Sequence, residues 1–388
     1  MSKISGSVID GTTLTLTSNG LADSYTASAS TRGLYSGQQG YDMSSAVRTI
    51  STPGSAVGDI KLGSNISFTD GTLAISATGY IDLNGKAITA SGSNSFLQIN
   101  GGTAINAGAV SVDSFVMMDG TWSQVAPTLP GFAARDFNLW GGTFIRAKGG
   151  DGSTLTPYQI ADVYGLQGVD SVGMAGKHYK LANNIDASGT AAWNYGWGFT
   201  PIGTVAGSFT GTFDGMGHAI SGLSIDRPGT DLVGLFRATS GSAAIRNLAL
   251  VGGSVKGHNQ VGALVGYNQA SITGSYASTD VTGNLYVGGL VGFSNNGSIS
   301  DSHADGVVNG VGSVGGLVGY SLSSSISHSY ATGNVIGRDY VGGLIGQNGR
   351  YSTTGSNVSD SYATGNVTGA GDIVGGLVGN AAGASVFS

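Results

Sequence analysis

Asp214 and His218 in the stretch FDGMGHAI, with Asp226 and Arg227 close behind, are the residues whose types and spacing could cleave a polysaccharide. A carboxylate beside an imidazole makes an acid–base pair, and clustered Asp with Arg or Lys on one outer face is what such a site needs. The same residues also read as architecture, with Asp214 closing a turn by bonding its own backbone. All 22 acidic residues are Asp and none is Glu, which narrows the carboxylate chemistry further. The turn reading is the stronger one, and no catalytic residue is expected.

Other chemistries are bounded the same way. There is no Cys, which excludes a thiol nucleophile, a thiolate metal site and disulfides. His258, His303 and His328 fall at different points of the repeat described below, so they should not converge on a metal. Asp280, Asp301, Asp305, Asp339, Asp360 and Asp372 sit at turns, without the serial GGxGxD that binds calcium. GGDGS at Gly149–Ser153 lacks the GK[ST] of a phosphate loop and reads as a flexible joint. No metal and no cofactor is expected. One stretch invites a binding role. WNYGWGF (Trp193–Phe199) concentrates aromatic rings, and Trp193, Tyr195 and Trp197 could stack on a sugar while Asn194 supplies a polar contact. The competing reading has these rings capping the interior.

The elements that would carry such sites are β-strands. Of 388 residues 70 are Gly and 6 are Pro, and Ser, Thr and Asn abound. Asp favours caps and turns where Glu favours helix. PYQIADVYGLQGV (Pro157–Val169) carries the one helical signal, with Pro near its start. The net charge is −6 with scattered basic residues, so no stripe suggests nucleic acid. No apolar run is long enough to span a bilayer as a helix.

The chain repeats itself. VGGLVG or a near relative starts at Val261, Val287, Val314, Val341 and Val374, at steps of 26, 27, 27 and 33 residues. SYASTDVTG, SHADGVVNG, SYATGNVIG and SYATGNVTG start at Ser275, Ser302, Ser329 and Ser361 and lengthen at the same last step. One outward insertion within Gln347–Asn357 explains both. A fixed period of about 20 to 50 residues means stacked units. Three short Val- and Ile-rich pieces per unit, separated by turns, predict an all-β, single-stranded, right-handed parallel β-helix with three short strands per coil. Val281, Val308, Val335 and Val367 should then share one interior column. Gly274, Asp301, His328 and Asp360 vary as an outward face does. Tyr276, His303, Tyr330 and Tyr362 should form an aromatic column, and Asn334 with Asn366 an Asn ladder. Corner glycines supply positive φ, and those inside VGGLVG allow close backbone packing.

SYATGNVTG…VGGLVG resembles the GLUG motif of large bacterial surface proteins, with a degenerate copy over Asp231–Gly257. Lys177–Asp226 resembles the segment that precedes such repeats. The stretch ISATGYIDLNGKAITASGSNSFLQINGGTAINAG is similar to filamentous-haemagglutinin-type adhesins of two-partner secretion. The resemblance implies irregular β-helix coils over 1–150, transitional coils with a short helix and an aromatic loop over 151–230, and GLUG-type repeats over 231–388. It further implies a secreted or cell-surface structural and adhesive stalk, touching host or bacterial surface glycans or proteins and involved in biofilm contacts. A polysaccharide lyase or hydrolase on the same fold is the alternative, and a self-assembling fibre subunit another, with end-to-end or lateral self-association. Stepping seven residues from Gly379 lands on Val386, so the chain is also expected to be a piece of a longer exoprotein.

Overall fold

The computed structural model describes residues 65–68, 70–77, 79–204, 207–351, 354–371 and 373–382, together with Ser385–Val386 and short strands before residue 65. Asp372, one of the turn carboxylates, lies outside the described residues. Two compact units divide the chain, Met1–Lys148 and Gly149–Ser388.

The first unit stacks parallel strands whose inward residues form three columns. They are Ile66, Ile88, Val110 and Phe132; Leu73, Leu97, Phe115 and Phe137; and Ile81, Ala104, Trp122 and Phe144. Aromatic residues meet where the columns end. Phe115 stacks on Phe137 at 5.2 Å and Trp122 on Phe144 at 6.2 Å. The DLNGKAI turn places Asn84 at φ 50° and Gly85 at φ 67°, the left-handed pair an Asn-Gly turn supplies.

The second unit is a parallel β-helix. One column of buried side chains runs through it in register: Tyr158, Tyr179, Phe213, Ile245, Ile272, Ile299, Ile326 and Val358. The non-repeating coils before residue 231 and the repeats after it thus share a core, aromatic at one end and aliphatic at the other. The expected valine column is present and extends to Ile225, Val255, Val281, Val308, Val335 and Val367.

From residue 244 on, each repeat coil carries five ladder strands rather than three. In one coil they are Ser298–Ser300, His303–Ala304, Val308–Asn309, Gly312–Gly315 and Val318–Leu322. The VGGLVG block bends at its central glycine and feeds two ladders. The two-residue strand in SHADG points one small residue, Ala304, inward. The insertion is an outward hairpin, Arg350 pairing Gly355 and Tyr351 pairing Thr354, after which Asn357 rejoins Ser325 in register. The helix spans Val163–Gly168, not Pro157 onward. Pro157 instead leads into the strand Tyr158–Ile160, and Asp162 caps the helix by accepting the Gly165 N–H at 2.9 Å.

Two columns explain residue choices in the repeats. Ser275, Ser302 and Ser329 are buried, and each hydroxyl accepts the N–H of the equivalent residue one coil back while donating to its own coil. The Ser of SYATG therefore satisfies a backbone N–H that the corner removes from the ladder. The variable column is a left-handed corner, with Gly274, Asp301, His328 and Asp360 at φ 59°, 51°, 48° and 48°. Gly, Asp, Asn and His tolerate that conformation best, so the variety marks backbone geometry as well as exposure. Asn334 accepts the Asn366 backbone N–H at 3.1 Å, and Asp280 does the same for Val307, so this column bonds side chain to backbone.

The aromatic column is continuous. Ring centroids lie 4.8 Å apart for Tyr276–His303, 4.5 Å for His303–Tyr330 and 5.0 Å for Tyr330–Tyr362, all nearly parallel. Burial between the two phenols pushes the His303 imidazole below its ordinary value of 6.5, against the smaller opposing pull of Asp305. A depressed folded value means the unfolded chain takes up the proton first, so stability falls as pH drops below about 6.5. His303→Tyr should abolish that part of the pH dependence of the melting temperature. An unchanged slope between about pH 6.5 and 5 would show that other groups carry it.

Candidate functional site

The aromatic loop is built from the strand Ile185–Asp186 outward. Asp186 accepts the Ser188 N–H at 2.9 Å and starts a 3-10 segment, Ser188–Gly196. Thr190 donates to the Ala187 carbonyl and accepts the Ser224 N–H, tying the segment to the next coil. Trp193 turns inward. It is 1% exposed and stacks between Tyr164 at 5.5 Å and Phe199 at 6.3 Å. Asn194 and Tyr195 then take consecutive left-handed conformations, φ 51° and 61°.

This bend is pinned from several sides. Asn194 Nδ2 donates to the Gly198 carbonyl at 2.7 Å and to Thr200 Oγ1 at 3.3 Å. Gln167, on the short helix, bonds both backbone groups of Thr200, at 2.9 and 3.0 Å. Asp170 just beyond that helix accepts the Gly203 N–H at 2.8 Å. Gly198 has φ 81°, and a Cβ there would collide with the Ser224 carbonyl.

The consequence is a rigid loop with two rings outside. Tyr195 is 53% and Trp197 52% exposed. The Arg227 guanidinium lies 5.9 Å from the centre of the Trp197 ring and donates to Thr200 Oγ1 at 3.2 Å. Burial lowers the Arg227 pKa while Asp170 works to raise it. The Asp226 N–H donates to the Trp197 carbonyl at 3.0 Å, and Asp226 pairs loosely with Lys256 at 3.7 Å. Of the four candidate contact residues, Tyr195 and Trp197 face solvent. Trp193 fills the core, and Asn194, half-buried, bonds the loop to itself.

The acid–base candidates do not assemble. Asp214 accepts the Met216 N–H at 2.9 Å, a turn closed on its own backbone, and pairs with Arg246 at 2.7 Å. Partial burial works to raise its carboxyl, but the bonds from Arg246, Met216 and Asn247 outweigh that and hold it below the usual value. His218 instead bonds Asn184 at 3.3 Å. Among the described residues no three His or Asp side chains gather as metal ligands. His258 pairs with Asp231 at 2.9 Å, His328 lies 3.7 Å from Asp360, and His303 is in the stack. Within GGDGS, Asp151 accepts from Ser153 and Thr156, and the Thr156 bond above all holds its carboxyl down to about 2.

A second aromatic group escaped the sequence reading. Tyr267, Phe293 and Tyr320 lie half-buried on the outer side of adjacent coils, Phe293 stacking on Tyr320 at 4.9 Å, with Tyr286 5.4 Å from Tyr320. The signal was available, since each ring immediately follows the VGGLVG block of its coil.

Comparison with known proteins finds the repeats. GLUG motif repeats are present at residues 257–282, 283–309, 310–336 and 337–368. Halomucin of Haloquadratum walsbyi is 40% identical over 162 residues, 39% of this chain and 2% of the relative. A protein of Evansella cellulosilytica described as a Gly-rich membrane protein is 38% identical over 122 residues, 30% of this chain and 14% of the relative. The chain therefore spans a small part of the curated relatives it matches. A solved structure from Bacteroides ovatus named for an immunoglobulin A1 protease covers 62% of this chain and 85% of its own, with TM-score 0.44 and 18% identity. What the comparisons share with this chain is the repeat region, which carries four GLUG motifs. Among the described residues no helix is long and apolar enough to cross a membrane.

Proposed function

We propose that the chain is a stiff, adhesive segment of a secreted or surface-anchored protein, and that it is not an enzyme. The observation that carries this reading is the unbroken register from Tyr158 to Val358, in which every coil rests on the next. A stack of this kind reaches far from little sequence information, and its stiffness comes from ladders that cannot bend without breaking bonds. Contacts are left to parts that leave the wall, chiefly the Tyr195–Trp197 loop. Names of the relatives, halomucin and a membrane protein, support a place outside the cell. The two-partner-secretion type remains part of this proposal through the coils before residue 148.

The test is mechanical and chemical together. Beads coated with the whole chain are settled on mats of neutral polysaccharide, acidic polysaccharide and matrix protein, then washed under flow. Retention above that of beads coated with an unrelated protein of equal charge is expected on at least one mat; equal loss from all three would end the adhesive reading. The supernatants are assayed for new reducing or unsaturated ends. None are expected, and ends released by the chain but not by Asp214→Asn would make it a polysaccharide-active enzyme instead.

A further inference from the structure

We propose that Tyr195 and Trp197 form a stacking platform for a neutral pyranose chain, a proposal that rests on the adhesive reading and names its ligand class. The first observation is conformational. Most left-handed non-glycine residues in the repeats recur with the coil, as Gln260, Tyr286, Ser313 and Tyr340 do at one bulge. Asn194 and Tyr195 belong to no such column. A bulky side chain is held in a costly conformation there, with over half of its surface in solvent. Strain of this kind persists where surrounding bonds over-determine the backbone, and it clusters at ligand sites. The surrounding bonds are those from Asn194, Gln167 and Thr190.

The second observation is the setting of Trp197. Arg227 lies over one side of the indole, and about half of Trp197 stays exposed to solvent. Asp226, whose N–H donates to the Trp197 carbonyl, pairs with Lys256 at 3.7 Å and leaves donors and acceptors next to the loop for a ligand. A flat apolar centre with a polar rim matches a pyranose, which offers C–H groups on its face and hydroxyls at its edge. An apolar protein partner would cover the rim charges without bonding them.

The charges select among sugars. Asp226 and Lys256 on the rim offset each other, so their pair offers no net positive charge to hold a uronate or sialate. The nearest guanidinium is spent on Thr200 and Phe199, within the field of Asp170. The ligand is therefore uncharged.

The whole chain is titrated with cello-, manno- and malto-oligosaccharides and with oligogalacturonate, reading heat and tryptophan fluorescence. Saturable binding of at least one neutral series is expected, with none to oligogalacturonate. Trp197→Ala and Tyr195→Gly should each weaken it about tenfold or more, and Trp197→Phe should keep most of it. Tyr195→Gly should also raise the melting temperature, because glycine takes φ 61° without strain. A binding residue that the fold tolerates at a cost gives this opposite pair of effects, whereas a structural residue does not. Absence of binding to every neutral series, binding of the acidic series alone, or binding unchanged in both ring-deleting variants would overturn the proposal. Beads retained in the flow assay by a chain that binds no sugar would remove this inference and leave adhesion standing. Sugar bound in solution by a chain that holds no bead would do the reverse.

Discussion

Leu317→Asp is expected to destabilise the second unit by about 4 kcal/mol or more, enough to melt the coils on either side of the substitution. Leu317 is fully buried, as are Leu264, Leu290 and Leu344 above and below it. Its backbone N–H donates to the Leu344 carbonyl and its carbonyl accepts from Leu290, so the residue is part of two coil contacts at once. The substitution removes a large apolar side chain and puts a carboxyl where no described residue offers a partner. Either the charge stays buried and unpaired, or the carboxyl is protonated and still lacks its bonds. In a stack where each coil contacts only its neighbours, the loss spreads along the stack until opening another interface costs more than it relieves. Hydrogen exchange reads this directly. Amides of Leu290, Leu317 and Leu344 should lose protection together, while those of Leu97 and Phe115 in the first unit keep theirs. Leu317→Met, which conserves volume, should cost less than about 1.5 kcal/mol. A melting temperature for Leu317→Asp within two degrees or so of the parent would mean that this column is not the core of the coil.

Much of this architecture was legible because the repeat period in the sequence is also the register of the ladders. Val281, Val308, Val335 and Val367 could be aligned by counting, and the structure pairs them in that order. Counting failed where a strand buries almost nothing. The pairs Tyr276–Ala277 and His303–Ala304 send in a single small residue, too little apolar signal to register as a strand. Variation at Gly274, Asp301, His328 and Asp360 was legible as exposure. The shared left-handed φ was not inferred, although the residue types named it. The site is harder to read than the fold. WNYGWGF has no period, so nothing in the sequence separates Trp193, which goes inside, from Trp197, which stays out. That division is made by Tyr164, Gln167 and Arg227, which approach from other coils. The fate of Asp214 was easier, because a turn closed within two residues is a local event and needs no tertiary information.

Gly315→Ala is expected to be among the most damaging single-methyl changes in the repeats, at about 3 kcal/mol or more. The second position of VGGLVG holds Gly262, Gly288, Gly315, Gly342 and Gly375, and no positive φ accounts for glycine at any of them. Space does. A Cβ on Gly315 would press into the Val318 carbonyl, the Gly346 N–H and the Ile345 backbone, all of them main chain. Gly262 shows the same crowding, its would-be Cβ lying 2.6 Å from both the Gly292 nitrogen and the Val265 oxygen. A flexible side chain could swing aside, but ladder backbone cannot move without lengthening bonds to the coils above and below. The block is thus glycine-rich because the coil folds back on itself there, bringing the strands Gly312–Gly315 and Val318–Leu322 against the next coil. A control separates this steric effect from the general effect of replacing glycine. Gly229 is exposed, has no atom within 4 Å of a Cβ and no left-handed φ. Gly229→Ala should therefore be neutral or stabilising by up to about 1 kcal/mol, through the lower entropy of the unfolded chain. Chemical denaturation of both variants gives the comparison. Should Gly315→Ala prove as mild as Gly229→Ala, the close approach of backbones would have to be relaxed in solution, and the conservation of glycine between the five copies within this chain would need another cause.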